Sequence, residues 1–497
     1  MSEFLIIAYR QVLGTYFPSI ISDEAMTGDK MQLEVGTKFK HPHISVRRYG
    51  MYHRFWHVAD MVDTRNVILK LQLQHNTMSS FVEGVNQHYD AAETAIHQNL
   101  TSSTPHQLWD IYTDFCEEYR NICAYAYIAN LIDRPLSEAV RFEIASLKPS
   151  LPETQYDRYV LILTRNPYAN FLYNFDLGAI RLILDSASQI RVDEHIQKWK
   201  TLFVSDGAAL SGQDIEAPAT RRFESLKAKS IEALNVRQRE IESQYQQAEA
   251  NILQLENELG IPAGLKAKFA LIRNSILLKE TRKFCMTRLA EGVHTLFAAI
   301  GQQLVIEPIN IGYLLPSEIE TGLLSSKSPL SNEDIEKFKE DFAWVVQNGI
   351  TKRYIGQSVD KIIARYNLAS EIRPRANDVK KSNEAVKDTY KGFVSCLGYA
   401  KGPARVVQGP HELAKVRPGD ILVTPLTTIE YASVFDKLAG MVTFDGAGIT
   451  SHPATLSREY KIPAILGIKE LDGNVHDDDV ISVDATNNEV RIERKVK

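Results

Sequence analysis

Residues 442–454 read VTFDGAGITSHPA, and this stretch decides how the C-terminal part of the chain is interpreted. A short β-branched and aromatic run comes first, and a glycine-containing turn follows it. Two hydroxyl residues, Thr450 and Ser451, then stand where an N-cap is needed, directly before His452. Pro453 suits the first turn of a helix, where its missing N–H is no loss. The pattern therefore predicts a strand, a tight turn and a helix that begins near an imidazole.

Such a helix start is a good place for an anion. The free N–H groups of the helix and of the turn attract anions, phosphate above all. The positive end of the helix also favours the neutral, nucleophilic form of the His452 ring. These properties are what a histidine nucleophile for phosphoryl transfer needs. The alternative is an ordinary histidine at a loop–helix junction, and the local residues alone leave both interpretations open.

Short β-branched runs that alternate with Gly, Pro and Asp surround this stretch, beginning after Gly392. They predict strands at 404–408, 420–424, 440–444, 464–467, 480–484 and 489–493. The remaining apolar patterns predict two helices, at 429–437 and 451–460. Residues 392–497 are therefore expected to form one compact α/β domain.

The N-terminal four fifths of the chain have a different texture. Residues 1–60 form a small mixed segment, in which residues 44–52 predict one or two strands. Residues 61–370 are predicted to be a helical region, because apolar residues recur three and four positions apart in segments such as 107–132, 266–304 and 332–347. Residues 371–391 are charged, and we predict a linker or swivel there. The fold class is thus α + α/β, with a mostly helical region before the compact domain.

Residues 221–259 predict one long polar helix that ends at Gly260. Its thin apolar stripe consists of Leu226, Ile231, Leu234, Ile241 and Tyr245. The stripe fits either packing within the chain, for example against 263–304, or a coiled coil that binds a partner. It is too irregular for a sustained heptad, which favours packing within the chain.

Four motifs of the C-terminal domain occur in the order of a known family: GYAKGPARVV at 398–407, PGDILVT at 418–424, TTIE at 427–430 and TSHPATLSREYKIPA at 450–464. With them, residues 392–492 resemble the phosphohistidine swivelling domain of the phosphoenolpyruvate-utilising enzymes. That group includes phosphoenolpyruvate synthase, pyruvate phosphate dikinase and rifampicin phosphotransferase. The resemblance implies a swivelling β/β/α domain in which His452 is phosphorylated and then passes the group on.

Several residues near His452 are candidates to hold the phosphoryl group. Thr450 and Ser451 can bond phosphate oxygens, although capping alone would explain them. Arg458, farther along the same helix, is a candidate phosphate contact, and its alternative is a surface ion pair with Glu459 or Asp445. The glycines of the turn complete the predicted phosphate-binding set: Gly446, Gly448, Thr450, Ser451 and Arg458.

The resemblance also implies partners. Residues 279–283, 301–304 and 311–319 resemble the segment that helps build the acceptor site in rifampicin phosphotransferase-like proteins. Enzymes of the group phosphorylate the histidine with an ATP-grasp module. The helical pattern here begins by about residue 61, which leaves no room for that module. We therefore expect a phosphotransferase subunit of a split enzyme, as in phenylphosphate synthase, with ATP and Mg²⁺ bound by an ATP-grasp partner and a small-molecule acceptor held by the helical region.

Two other functions stay open at this point. One is a non-catalytic scaffold that retains the histidine domain as a relic. The other is a self-sufficient phosphotransferase with an unrecognised donor site. Chemistry discriminates the first from a carrier, because a carrier must form an acid-labile, base-stable phosphohistidine and a scaffold need not.

The composition excludes some classes of function. Lys and Arg number 57 and Asp and Glu 62, so the net charge of −5 is too balanced for a protein that coats nucleic acid or an anionic membrane. Hydrophobic residues make up 44% of the 497 residues, enough for a sizeable core. No run approaches the roughly 20 apolar residues that span a bilayer. We expect a cytoplasmic protein.

No metal site is expected in the chain. The cysteines at 116, 123, 285 and 396 lack zinc-ligand spacing and suit reduced, buried thiols. His41, His43, His53 and His57 are close in sequence, and His53 and His57 have the spacing of two ligands on a helix. No acidic partner is evident in the sequence around them, and their aromatic neighbours indicate packing instead.

Overall fold

The computed structural model describes residues 4–10, 17–49, 51–75, 78–98, 100–126, 128–167, 170–204, 209–210, 214–325, 327–372, 389–425, 427, 431, 433–444, 448 and 451–495. In chain order its α-helices are α1 Phe17–Thr27, α2 Asp29–Val35, α3 Val58–His75, α4 Met78–Ile96, α5 Pro105–Ala126, α6 Ile128–Leu147, α7 Glu153–Leu163, α8 Phe171–Leu184, α9 Gln189–Trp199, α10 Ala217–Lys227, α11 Ile231–Leu259, α12 Ala263–Leu304, α13 Pro308–Ile311, α14 Pro316–Ser325, α15 Asn332–Phe338, α16 Gln357–Arg365 and α17 His452–Glu459. Its strands are β1 Phe4–Arg10, β2 His43–Arg48, β3 Met51–His57, β4 Phe342–Gln347, β5 Ile350–Ile355, β6 Phe393–Cys396, β7 Tyr399–Val406, β8 Ile421–Thr424, β9 Gly440–Thr443, β10 Ala464–Leu466, β11 Val480–Asp484 and β12 Glu489–Arg494.

The chain divides into two compact units, each built from three segments. The first unit comprises residues 1–131, 206–215 and 278–379, and the second comprises residues 132–205, 216–277 and 380–497. These units do not coincide with the ranges predicted from the sequence, which stay a prediction about domain organisation. The predicted linker at 371–391 lies largely outside the described residues, because 373–388 are not among them. A mostly helical N-terminal region and a mixed sheet near the C-terminus are both present, as the sequence predicts.

The first unit contains a five-stranded antiparallel sheet in the order β1-β3-β2-β4-β5. The strands predicted at 44–52 are confirmed as β2 and β3. The helix predicted across 332–347 is wrong in its second half, where β4 runs instead. Five consecutive residues of β4 are buried, so the strand lacks the period-two alternation that identifies a half-exposed strand.

Both faces of this sheet are covered within the first unit. Apolar side chains of β2, β3 and β4 pack on α16, among them Ile44, Phe55 and Val345. Helix α1 packs against β4 and β5 and against α5. The described chain contains no helix that is both long and apolar enough to cross a membrane.

The predicted single helix at 221–259 is two helices, and this corrects the prediction. Helix α10 ends at Lys227, and Ser230 starts α11 as an N-cap, its hydroxyl accepting from the Ala233 N–H at 3.2 Å. A serine cap satisfies a free N–H at a new helix start, and this local bond competes with a continuous helix. Helix α11 ends at Gly260 in the left-handed conformation, as predicted, with φ of 62°.

The apolar stripe of α11 is used inside the chain. Of the stripe residues on α11, Leu234 and Ile241 are buried and Ile231 is exposed, and α11 packs against α7 and α8. Packing within the chain is thus confirmed for this helix, against different helices from the 263–304 segment that was considered. The face that a partner-binding coiled coil would use is therefore packed against α7 and α8 within the chain.

A seven-stranded mixed sheet forms the C-terminal part of the second unit, in the order β12-β11-β7-β8-β9-β10-β6. The four central strands, β7 to β10, are parallel, and the outer pairings are antiparallel. All six predicted strands are confirmed within a few residues, and β6 is additional. The described part of the predicted helix 429–437 holds only a short 3₁₀ helix at Phe435–Lys437, closed by i→i+3 bonds such as Lys437 N–H to Val434 O.

Candidate functional site

The site begins where two neighbouring parallel strands end. Thr424 and Thr443 are paired across β8 and β9 as the last residues of these strands. The carboxyl ends of parallel strands meet at one edge of a sheet, and connections that leave this edge bring their first residues together. Thr427 follows β8, and His452 starts the helix that follows β9. Their side chains meet at 2.9 Å, between Thr427 Oγ1 and His452 Nδ1.

This contact orients the imidazole. The Thr427 side chain is only 4% exposed, so its hydroxyl is buried at this edge of the sheet. The His452 ring is half-buried. When Nδ1–H donates to the hydroxyl, the ring lone pair is on Nε2. The Thr427 contact therefore fixes the position of Nδ1, and a nucleophilic Nε2 requires the tautomer in which Nδ1–H is the donor.

The helix start has the predicted form, with one difference. Ser451 occupies the N-cap position with extended backbone, but its hydroxyl makes no capping bond. The Ser451 Oγ is buried and has no hydrogen-bond partner among the residues that the structure describes. The Ser451 N–H donates to Gly448 O at 3.0 Å, which closes the turn before α17. The first N–H groups of a helix lack partners inside the helix. Backbone amides of the first turn of α17 and the buried Ser451 hydroxyl therefore lie beside His452.

The structure describes only some of the other predicted site residues. Gly446 and Thr450 lie outside the described residues, as does Asp445, the alternative partner of Arg458. Arg458 is in the last turn of α17, about 9 Å farther along the helix axis than His452. Its guanidinium and that of Arg165 oppose the effect of burial, which raises the pKa of Cys396 on β6 to about 11. A phosphate contact of Arg458 stays a prediction.

Sequence reasoning noted Thr427 in a motif without assigning it to the site. The position of Thr427 could have indicated this role, because it lies three residues after the predicted strand 420–424. The strand that pairs with it in parallel, β9, is the one followed by His452. The pairing of β8 with β9 is a long-range contact, and it was not predicted. Without this pairing, nothing in the sequence connects residues 25 positions apart.

The N-terminal histidines pack in the first unit, as predicted. His53 and His57 lie on strand β3, so four residues separate them by about 13 Å, and the ligand spacing of a helix does not apply. Among the described residues there is no group of three or more His, Cys, Asp or Glu side chains that could hold a metal ion. His41 and His57 stack with ring centroids 3.6 Å apart.

Acidic partners do exist, contrary to the sequence interpretation. Asp23 contacts His43 Nδ1 and also pairs with Arg54, all three being buried. Asp60 lies 3.0 Å from His41 Nδ1. Burial raises the pKa of Asp23, but Arg54 and His43 outweigh burial and hold it below its usual value. Asp23 comes from α1, and its proximity is decided by tertiary packing.

His53 gives a testable pH dependence. Burial lowers its pKa to about 4, from about 6.5 in an unfolded chain. The unfolded state therefore binds the proton first, so the contribution of this residue is complete above pH 6.5 and is lost as the pH falls towards 4. We expect roughly 2 kcal/mol of unfolding free energy to disappear between pH 7 and 4.5 on this account. Urea unfolding at a series of pH values measures it.

The matched variants are His53→Gln, which does not titrate, and His106→Gln at an exposed position. The first should have a flatter pH profile than the parent chain, and the second should follow the parent profile. Parallel profiles for all three proteins would show that His53 does not titrate as its burial requires.

The four cysteines are free thiols, as predicted, and Cys116, Cys123 and Cys285 are buried. Burial raises the pKa of Cys116 and of Cys285 to about 12 in each case. Thiols held in this way are poor nucleophiles and do not compete with His452 for a role in group transfer.

Comparisons with known proteins agree with the geometry. Residues 416–488 match the family described as PEP-utilising enzyme, mobile domain. This range contains β8, β9, His452 and most of the edge described above. The C-terminal part of the chain is a mobile domain of the phosphoenolpyruvate-utilising enzyme superfamily.

Similar proteins bear names of the same kind. The chain is 25% identical over 225 residues to an uncharacterized phosphotransferase, YvkC, of Bacillus subtilis, covering 44% of this chain and 26% of that protein. It is 33% identical over 182 residues to a probable phosphoenolpyruvate synthase of Archaeoglobus fulgidus, covering 33% and 23%. It is 36% identical over 183 residues to the rifampicin phosphotransferase of Streptomyces sviceus, covering 35% and 20%. The chain thus matches about a quarter or less of each of these relatives.

Proposed function

We propose that this chain is a phosphotransferase component in which His452 carries a phosphoryl group from an ATP-grasp-type partner to a small-molecule acceptor. The observation that carries the proposal is the 2.9 Å contact of His452 Nδ1 with Thr427 at the start of α17. This contact fixes the orientation of the ring near the first amides of the helix and the buried Ser451 hydroxyl, which supports a role in phosphoryl transfer. The family match and the phosphotransferase and phosphoenolpyruvate synthase relatives support the same reaction class.

The transfer has two steps. The Nε2 lone pair of His452 attacks the phosphorus of the donor, an N–P bond forms, and the P–O bond to the leaving group breaks. An acceptor oxygen then attacks the same phosphorus, and the N–P bond breaks with its electron pair returning to Nε2. An alcohol or phenol acceptor gives its hydroxyl proton to the solvent, whereas a carboxylate acceptor has no proton to lose. Thr427 keeps the ring oriented in both steps, and the Ser451 hydroxyl and helix amides hold the phosphoryl oxygens.

We propose that ATP and Mg²⁺ are bound by the ATP-grasp-type partner that donates the phosphoryl group. Mg²⁺ neutralises developing charge on phosphate oxygens when it is bound. Among the described residues, no group of three or more His, Cys, Asp or Glu side chains could hold a metal ion. In this proposal the ATP-grasp-type partner binds both the nucleotide and Mg²⁺.

The acceptor is proposed to bind in the helical region. The segment 301–304 resembles acceptor-site sequence, and Gly301 and Gln302 line an open pocket of about 450 Å³ with Glu307 and Asn332. A methyl group on Gly301 would lie 2.4 Å from Ile306 O, so this glycine also permits a close backbone approach. The chemistry of the acceptor is an alcohol, a phenol or a carboxylate, the oxygen nucleophiles that accept a phosphoryl group.

The experiment that tests the proposal is labelling of the purified chain with [γ-³²P] and [β-³²P]ATP plus Mg²⁺, with and without an ATP-grasp partner. We expect poor labelling of the chain alone and acid-labile, base-stable label when the partner is added. Strong labelling of the single chain would point to a donor site within it. No labelling under either condition, with a partner shown to hydrolyse ATP, would favour the scaffold.

Thr427 provides a graded test of the ring-orientation step. Thr427→Val removes the hydroxyl with little change in shape, and one hydrogen bond to the ring is lost. We expect the initial labelling rate to fall about tenfold, near the 1.4 kcal/mol of one such bond. Thr427→Ser, which keeps the hydroxyl, should restore most of the rate. Equal rates for the valine variant and the parent chain would show that this contact does not orient the nucleophile.

A further inference from the structure

The helix that carries His452 is tied at its far end to the helices of the same unit. Tyr173 of α8 donates its hydroxyl to the Glu459 backbone oxygen at 2.6 Å. Asn170 donates its side-chain amide to the Glu459 carboxylate. Glu459 is the last residue of α17, so both bonds act on the C-terminal end of the helix whose first residue is His452.

Asn170 makes a second hydrogen bond, which fixes the position of its side chain. Its side-chain oxygen accepts from the Tyr173 N–H at 2.7 Å and caps α8. The two residues that hold Glu459 are therefore fixed to each other as well as to α17. Asn170, Tyr173 and Glu459 are all buried. Hydrogen bonds between buried groups are strong because little water competes for them, so these bonds favour one arrangement of the three residues.

A buried charge cluster lies directly behind this contact. Asp176, one turn after Tyr173 on α8, is fully buried and accepts from Arg222 at 2.7 and 3.0 Å. Arg237 of α11 lies 3.6 Å from the same carboxylate and packs over the Tyr173 ring at 5.2 Å. The Tyr173 ring, whose hydroxyl reaches Glu459, is thus also packed against a cation of α11.

The other side of α17 is also anchored. Ser457 meets Ser395 of β6 at 2.9 Å between hydroxyl oxygens. The helix is therefore bonded, within its second half, to its own sheet through Ser457 and to α8 through Glu459. Its orientation decides where the imidazole at its first residue points, and a transfer reaction needs that angle to be constant.

We propose that Asn170 and Tyr173 are positioning residues that dock the His452 helix on α8 through Glu459. The helices of residues 153–259 then do more than pack against each other, because they set the orientation of α17, the helix that begins with His452. The docking itself is independent of the reaction, and its effect on rate rests on the proposed function.

The sharpest test reverses the polarity of one bond. Asn170→Asp keeps the cap of α8, because the aspartate oxygen still accepts from Tyr173, but it loses the amide donor and faces the Glu459 carboxylate. Glu459→Gln added to it supplies a donor from the other side. We expect amide hydrogen exchange of residues 452–460 in the full chain to rise at least tenfold in Asn170→Asp and to return towards the parent value in the double variant.

Tyr173→Phe tests the second bond, and Tyr156→Phe is its control. Tyr156 donates its hydroxyl to Lys148 O at 2.9 Å, a bond within the helical part of the same unit. We expect faster exchange of 452–460 in the first variant only, about tenfold. With a saturating partner, the phosphorylation rate of His452 should fall in parallel, while the partner concentration for half-maximal rate stays unchanged.

Two results would overturn the positioning role. Unchanged exchange of 452–460 in Asn170→Asp and Tyr173→Phe would show that these bonds do not hold the helix. Faster exchange with an unchanged phosphorylation rate would show that docking does not position His452. If the parent chain is never phosphorylated, the proposed function fails, and the exchange measurements alone decide whether the dock exists.

Discussion

Replacement of His452 by alanine is expected to abolish acid-labile phosphate incorporation and to leave the fold intact. The imidazole is half-buried at the start of α17, so its loss removes few core contacts. The ring provides the only nucleophilic nitrogen that the Thr427 contact orients, and removal of a covalent nucleophile typically lowers a rate by several orders of magnitude. Labelling in the presence of the partner, followed by mapping of the phosphorylated peptide, measures the effect.

The control for this prediction is His476→Ala. His476 is in the same C-terminal sheet domain and is exposed, so it offers the same chemical group without the helix start. The control should label like the parent chain. Phosphate that persists in the His452 variant, on any residue, would show that another group is the nucleophile.

Replacement of Asp176 by alanine is expected to destabilise the second unit by about 3–5 kcal/mol. The carboxylate is fully buried and pairs with Arg222, whose side chain is 17% exposed, and with Arg237. Removing one partner of a buried pair leaves an uncompensated charge, which is what makes such substitutions severe. Urea unfolding followed by circular dichroism measures the loss.

Asp185→Ala is the matched control, because Asp185 ends the same helix α8 at an exposed position. We expect its effect to stay within about 0.5 kcal/mol. A loss below about 1 kcal/mol for the Asp176 variant would mean that water reaches Arg222 and replaces the carboxylate.

The C-terminal domain was predictable because its signals are local. Most strands between Ile421 and Arg494 are short runs with β-branched residues and with Gly, Pro or Asp at or beside their ends. The start of α17 is marked by Ser451 and Pro453. The strands of the first unit were partly missed for the opposite reason. β4 is buried along its length, and continuous apolar residues do not distinguish a buried strand from a helix.

The helical part illustrates a second limit. The stripe of residues 221–259 correctly indicated a helix that buries one face, but not that Ser230 interrupts it, because a serine inside a polar helix carries no strong breaking signal. The partners of that face, α7 and α8, are far away in sequence. Periodicity shows which side of a helix is buried and leaves open what covers it.

The sequence by itself predicted the candidate centre: a histidine preceded by a hydroxyl residue at the start of a helix, in a domain of short strands. Only the tertiary structure decided what surrounds this histidine. Thr427 reaches it because β8 and β9 are parallel neighbours, and Asn170 and Tyr173 reach the far end of its helix across 286 to 289 positions. The physical reason is that helix caps and turns depend on neighbouring residues, whereas the pairing of strands and the docking of helices depend on which buried surfaces fit together.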